Sequence, residues 1–297
     1  MDARSKPWRS VLYIPASRQR AFEKARRMPL DAVIFDLEDA VAPEEKLYAR
    51  QLISTVLPTV DFGPRTRLVR INGFDTEWGR EDARAAGAAG ADAILIPKVG
   101  SAADVEMVAQ EVPEVPLWAM IESPRGVLNA AEIAAHPRMQ GFVLGTNDLA
   151  KDIGCRFRAD RLPLLASLQL PLLAARAEGI LCIDGVFNAF KDEAGLAVEC
   201  EQGRDMGFDG KTLIHPRQIP IANRIFAPSA AEIDLSRRQI EAFDAAMAQG
   251  QGVAVVDGRI VENLHVATAR QLLERAEAIE ELTRMIETLA DDTALDA

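Results

Sequence analysis

Eight short apolar runs, rich in β-branched residues, recur along the chain: VLYIPA at 11–16, AVIFDLED at 32–39, RLVRING at 67–73, AILIPKV at 93–99, PLWAMIES at 116–123, MQGFVLGTND at 139–148, ILCIDGVF at 180–187 and GKTLIHP at 210–216. Helix-like stretches such as RQRAFEKARRM, PEEKLYARQLISTVL, SAADVEMVAQEV and EAGLAVECEQGRDMG lie between them. Runs that are apolar throughout, rather than alternating with polar residues, mark strands buried on both faces, as in a parallel sheet covered by helices. Eight strand–helix units over roughly 220 residues match a (β/α)8 barrel in number and length. The rival is a doubly wound open sheet, which wants a glycine-rich first turn; the first turn here is IPASRQR, with no GxGxxG. The expected fold is therefore α/β, a (β/α)8 TIM barrel over residues 8–226.

Beyond Phe226 the pattern changes. Ser229 stands where an N-cap belongs, ahead of AAEIDLSRRQIEAFDAAMAQG, and Gly250 stands where that helix would stop. Asp257-Gly258 between β-prone flanks signals a hairpin. NLHVATARQLLERAEAIEELTRMIETLA follows as an amphipathic helix. Residues 227–297 are expected to be a helix–hairpin–helix extension serving as a lid and oligomerisation segment.

With 34 Lys and Arg against 45 Asp and Glu, the net charge is −11, which argues against non-specific nucleic-acid binding. No apolar run approaches the ~20 residues that cross a bilayer, so no membrane association is expected. MDARSKPWRS leads into VLYIPA without a long apolar segment or a small-residue cleavage site. The three cysteines form no CxxC pair and read as reduced thiols, which fits a cytoplasmic protein. The three histidines are scattered, so any metal would be held by oxygen ligands and would be a hard cation.

In a barrel of this kind function sits at the C-terminal ends of the strands, and the polar residues gather there. Glu122 and Asp148 each follow an apolar run on neighbouring strands. Two carboxylates brought together repel unless a cation or a proton lies between them, and Mg2+ accepts one or two carboxylates with water and substrate oxygens completing its shell. The plainer reading is that each caps the helix that follows. Asp36 and Glu38, two apart on a strand, would share a face and could accept hydrogen bonds from metal-bound waters, or could simply be a charged loop start. Arg70 ends an apolar strand. It would either pair with Asp36 and Glu38 or meet an oxyanion developing on a substrate carbonyl. Arg18 and Lys24 place positive charge in the first strand–helix loop, fit for phosphate or for a solvated helix face.

The segments LYIPASRQRAFEKA, VIFDLEDAV, VRING, ILIPKV, MIESPRG, LGTNDLA, DGVFNAF and KTLIHPRQI, in this order, resemble the citrate lyase β-subunit-like (HpcH/HpaI aldolase) family. That family holds citryl-CoA, malyl-CoA and β-methylmalyl-CoA lyases and (3S)-malyl-CoA thioesterases. The resemblance implies a barrel that uses Mg2+, with Mn2+ as a substitute, and that assembles as a homotrimer or homohexamer. It implies Glu122 and Asp148 as metal ligands and Asp36 and Glu38 behind them. It further implies Arg70 on the thioester oxygen, and Tyr13, Arg18 and Lys24 along the adenine and phosphates of CoA.

One position departs from the pattern. Where the family's lyases carry an Asp in the C-terminal hairpin, held to act as acid and base on a neighbouring subunit, this chain reads Gly258-Arg259-Ile260-Val261-Glu262. LAKDIGCR, ADRLPLL, ECEQGRDMGFDGKTLIHP and GQGVAVVDGRIVENLH place the resemblance nearest the thioesterase branch. The expected activity is Mg2+-dependent hydrolysis of (3S)-malyl-CoA to malate and CoA, with Glu262 activating water or standing as an exposed lid residue. The alternative is malyl-CoA or citramalyl-CoA cleavage by a retro-Claisen lyase. A CoA-independent pyruvate aldolase would not need Arg18, Lys24 or the lid, and a non-catalytic subunit would be inactive alone.

Overall fold

The computed structural model describes residues 6–295. Eight parallel strands close into a barrel in sequence order: β1 (Ser10–Pro15), β2 (Ala32–Asp36), β3 (Thr66–Arg70), β4 (Ala93–Ile96), β5 (Leu117–Ile121), β6 (Met139–Leu144), β7 (Leu181–Asp184) and β8 (Gly210–Leu213). Closure is made by β8 pairing back to β1, with Val11 opposite Thr212 and Leu12 opposite Leu213. Each strand coincides with one of the apolar runs, β1 and β3 starting one residue ahead of theirs.

The helices are α1 (Gln19–Ala25), α2 (Lys46–Val56), α3 (Gly79–Ala88), α4 (Ala102–Glu111), α5 (Pro124–Leu128), α6 (Ala130–Ala134), α7 (Thr146–Ile153), α8 (Leu165–Ala177), α9 (Glu193–Met206) and α10 (Ile219–Phe226). Side chains alternate along each strand. On β2, Val33 and Phe35 join the layer between strands and helices, where Phe35 stacks on Phe22 at 4.7 Å and meets Phe62 edge-on at 5.2 Å. Ile34 and Asp36 then face the barrel interior. Trp8 and Trp118 pack with ring centroids 4.6 Å apart. A Cβ on Gly141, opposite Trp118 in β6, would lie 2.5 Å from that indole, so glycine there makes room for it.

Internal contacts divide the described residues into two compact units. One holds residues 8–226 and the last helix from residue 286 on; the other holds residues 227–285 with residues 6 and 7. The elements beyond residue 226 follow the expected order of helix, hairpin and helix, although the last helix from residue 286 on groups with the barrel rather than with this unit. The helix α11 (Ala230–Ala248) starts with a capping box: the Glu232 N–H donates to Ser229 Oγ at 3.2 Å and the Ser229 N–H to Glu232 Oε2 at 2.7 Å. Strands β9 (Ala254–Val256) and β10 (Arg259–Val261) pair antiparallel across Asp257 and Gly258, whose φ values of 50° and 74° make the tight hairpin turn. Phe243, Ala246, Ala254, Val256, Val261 and Val266 form its core. The final helix, α12, runs from Asn263 to Leu295. No helix among the described residues is long and apolar enough to cross a membrane.

Candidate active site

The register of β2 against β3 sets Asp36 directly opposite Arg70. Arg70 Nε donates to Asp36 Oδ1 at 2.7 Å and Nη2 to Oδ2 at 2.6 Å, a two-point contact that fits the planar guanidinium. Asp36 is fully buried and also accepts the backbone N–H of Glu38 at 2.9 Å and of Ala40 at 3.0 Å. Its oxygens are thus engaged within the chain. The turn after Asp36 differs from the expected continuous strand: β2 ends at Asp36, and Glu38 folds back over it rather than sharing a strand face.

Arg70 keeps one nitrogen for other partners. Nη1 lies 2.9 Å from Glu38 Oε2 and 3.6 Å from the Met120 sulfur. Tyr13, on β1, places its ring 5.0 Å from the Arg70 guanidinium and donates its hydroxyl to Met120 Sδ at 3.4 Å. Burial drives the Tyr13 hydroxyl far above its ordinary range, so it stays protonated. The other oxygen of Glu38 accepts Lys98 Nζ at 2.6 Å.

Glu122 follows β5 immediately, and Ser123 rather than Glu122 caps the next helix, accepting the Gly126 N–H at 3.1 Å. Glu122 is 2% exposed, and its Oε1 accepts the backbone N–H of Lys98 at 2.7 Å. Burial, with the nearby charge of Glu38 adding to it, pushes the Glu122 carboxyl from its ordinary 4.5 up to about 7. A buried carboxylate with so little compensation calls for a positive partner. Asp148 sits in the first turn of α7, beyond the end of β6 where the strand was expected to carry it. Neither Asp148 nor Glu122 Oε2 takes a hydrogen bond from the described residues. A Cβ at Gly145 would fall 2.3 Å from Glu122 Cβ and 2.5 Å from its Oε2. Glycine there lets the start of α7 lie against Glu122.

Tyr13, Asp36, Arg70, Met120, Glu122 and Asp148 line one cavity of about 300 Å³ at the barrel mouth. Glu38 and Lys98 belong to the wall of a neighbouring cavity of about 580 Å³, which Trp78, Phe74 and Met107 also line. Among the described residues no group of three or more His, Cys, Asp or Glu side chains is arranged to hold a metal. Two carboxylates with free oxygens nonetheless suit Mg2+, which keeps most of its shell for water and substrate.

Other expected residues lie elsewhere. Arg18 precedes α1, exposed, 3.8 Å from Glu45, and Lys24 is exposed in the last turn of α1; neither lines the mouth cavity that holds Tyr13. Glu262, in the second unit, directly follows β10. It is exposed, its N–H donates to His265 Nδ1 at 3.0 Å, and no described residue engages its carboxylate. Asp184 ends β7 but is fully buried against Lys211 and Arg161, at 2.9 and 2.7 Å, as a structural ion pair.

Sequence reasoning gave no role to Lys46, Asn72 or Gly145. Lys46 Nζ is buried against the Leu37 and Glu38 carbonyls and Asn72 Oδ1, at 3.0, 3.0 and 2.6 Å, and this bonding holds the turn that carries Glu38. The proline before Lys46's helix and the Asn72-Gly73 pair were the only local signals of it.

The family model of HpcH/HpaI aldolase/citrate lyase matches residues 9–216. The chain is 65% identical to (3S)-malyl-CoA thioesterase of Cereibacter sphaeroides over 279 residues, covering 94% of this chain and 98% of that protein. It is 35% identical to L-malyl-CoA/β-methylmalyl-CoA lyase of the same species, covering 93% and 96%. Among solved structures it resembles CitE from Mycobacterium tuberculosis in complex with magnesium, acetoacetate and coenzyme A. The TM-score is 0.78 at 32% identity, covering 92% of this chain and 99% of the other.

Proposed function

The chain belongs to the HpcH/HpaI aldolase/citrate lyase family, and we propose that within it the protein hydrolyses (3S)-malyl-CoA to malate and CoA. The observation that carries this reading is the 65% identity, over nearly the whole of both chains, to proteins of that activity. The mouth cavity supports it chemically. Arg70, fixed by Asp36, lines this cavity, and Nη1, the nitrogen that Asp36 leaves and that Glu38 meets from one side at 2.9 Å, is the one that would meet a thioester carbonyl. Water adds to that carbonyl carbon, the oxygen takes on negative charge beside Arg70, and the C–S bond then breaks. The thiolate leaves and takes up a proton, and the acyl carbon ends as a carboxylate.

Glu122 and Asp148 would hold Mg2+, with Mn2+ able to replace it, and the divalent charge would bind and orient the anionic malyl end. Magnesium is present in the CitE complex, which agrees with this assignment. Tyr13 braces Arg70 from the cavity wall, and the phosphates of CoA would fall to the exposed Arg18, just ahead of α1, and Lys24 in its last turn. Glu262 would activate the water. We take it to act on a neighbouring subunit of a homotrimer or homohexamer, with residues 227–297 as lid, in a cytoplasmic enzyme; its disengaged carboxylate is what supports the role.

Cleavage of the same thioester to glyoxylate and acetyl-CoA is the second reading, favoured by the likeness to a malyl-CoA lyase. One incubation separates the two: purified protein with (3S)-malyl-CoA and Mg2+, products resolved by chromatography. Malate with free CoA supports hydrolysis, and glyoxylate with acetyl-CoA supports cleavage.

A further inference from the structure

Lys98 is one of three non-glycine residues among the described ones with positive φ, at 52°, and the only one of them beside the mouth carboxylates. The left-handed region presses Cβ against the backbone and is unfavourable for any residue but glycine. Strain of this kind persists where surrounding contacts over-determine it, and often at functional sites. Here the turn delivers two groups of one residue to two carboxylates. The backbone N–H of Lys98 meets Glu122 Oε1 at 2.7 Å, and its ammonium meets Glu38 Oε1 at 2.6 Å. Glycine would keep the first contact without strain. The second is what requires a lysine.

Glu38 is the link to the reaction. Its carboxylate is 8% exposed and lies between two cations, Lys98 at one oxygen and Arg70 Nη1 at the other, 2.9 Å away. Without the ammonium both Glu38 oxygens would be free to turn to Arg70, and Nη1, the one guanidinium nitrogen that Asp36 does not hold and that now shares a single Glu38 oxygen, would be tied to that carboxylate at two points. We propose that Lys98 is a positioning residue: by engaging Glu38 it keeps Arg70 Nη1 available to the substrate carbonyl, while its backbone fixes Glu122 with Oε2 free. The proposal rests on the reading of Arg70 as the group that meets the thioester oxygen.

The test compares full-length Lys98→Met, Lys98→Gly and Lys98→Arg with the parent. Mg2+ affinity of the metal-stripped protein is read by calorimetry, alongside kcat and KM for (3S)-malyl-CoA and the melting temperature. Lys98→Met and Lys98→Gly should lower kcat by about 10- to 100-fold with KM within about threefold, as expected when a group that meets transition-state charge is misplaced. Both should bind Mg2+ about 3- to 10-fold more tightly, because a positive charge beside the carboxylates is gone. Lys98→Arg should regain part of kcat. Lys98→Gly should melt no lower than the parent, which separates the kinetic loss from misfolding. An unchanged kcat in Lys98→Met and Lys98→Gly would overturn the proposal, as would weakened or unchanged Mg2+ binding. If the parent itself leaves malyl-CoA intact, the hydrolase reading fails by itself, and the Mg2+ measurement still decides the role of Lys98.

Discussion

Asp36 and Arg70 are the last residues of neighbouring parallel strands, face each other in register, and are joined by two N–H···O contacts of 2.7 and 2.6 Å. The pair is both a structural brace and the mount for Nη1, the one guanidinium nitrogen that Asp36 does not hold.

Removing one member leaves a buried charge alone. Arg70→Ala should lower the free energy of unfolding by about 3–5 kcal/mol, measured by urea titration. Arg70→Lys keeps the charge but loses the planar fork, and its kcat should fall by about 100-fold. Near-normal turnover in Arg70→Lys would reduce the residue to a brace.

The metal assignment is checked at two positions. Glu122→Gln and Asp148→Asn should each abolish Mg2+ binding by calorimetry and remove activity, while EDTA should silence the parent until Mg2+ or Mn2+ returns. Glu122→Gln should also raise the melting temperature of the metal-free protein at neutral pH, since it replaces a poorly compensated buried carboxylate with a neutral amide. Unaltered Mg2+ affinity in both variants excludes these ligands.

The raised Glu122 carboxyl makes a signed prediction for pH. Glu122 holds its proton more tightly folded than unfolded, so this group favours the fold fully below pH 4.5, and that contribution is lost as pH rises toward about 7. The loss is on the order of 3 kcal/mol for the metal-free chain. Mg2+ competes with the same proton, so the rise in melting temperature on adding Mg2+ should be large at pH 8 and small at pH 5.5. Equal increments at both pH values would contradict the coupling.

Gly145 has φ of −94°, which any residue adopts, so its identity is a matter of space. Gly145→Ala would drive a methyl group into Glu122, which a Cβ there meets at 2.3 Å. We expect Mg2+ affinity and kcat both to fall at least tenfold, on the scale known for misplaced catalytic groups, with the circular dichroism spectrum preserved.

Glu262→Gln should depress hydrolysis severely while leaving binding of a CoA thioester nearly intact, because an amide cannot take a proton from water. Glu262→Asp, shorter by one methylene, should gain some C–C cleavage. Parental turnover by Glu262→Gln would mean that the base lies elsewhere.

The barrel was legible because most of its strands are continuous apolar runs such as AILI and LWAMI, because polar residues gather just beyond or at their ends, and because the strand–helix unit recurs eight times. The hairpin turn at Asp257-Gly258 and the cap at Ser229 were legible because their residue types fix the backbone locally. The site was legible only as a set of strand ends. Which oxygen of Glu122 is engaged, and by what, depends on a φ at Lys98 that no residue type announces. Tyr13 reads as a strand residue whose only expected role is along CoA, yet on β1 its ring lies against Arg70 of β3, a contact between elements that its neighbours in sequence do not announce. Asp148 was placed at a strand end because GTND directly follows the apolar FVL, whereas the strand stops at Leu144 and Gly145 is the N-cap of a helix.

The hydrogen bond that fixes Glu122 comes from the main chain of Lys98, and every residue except proline carries that N–H. Genetic drift at position 98 can therefore alter the side chain without erasing the clamp. Proline could not settle there in any case, because its ring forbids a φ of 52°. A lineage accumulating changes at this codon would lose catalytic tuning before it lost the geometry of its carboxylates, and a later reversion would find that geometry still waiting.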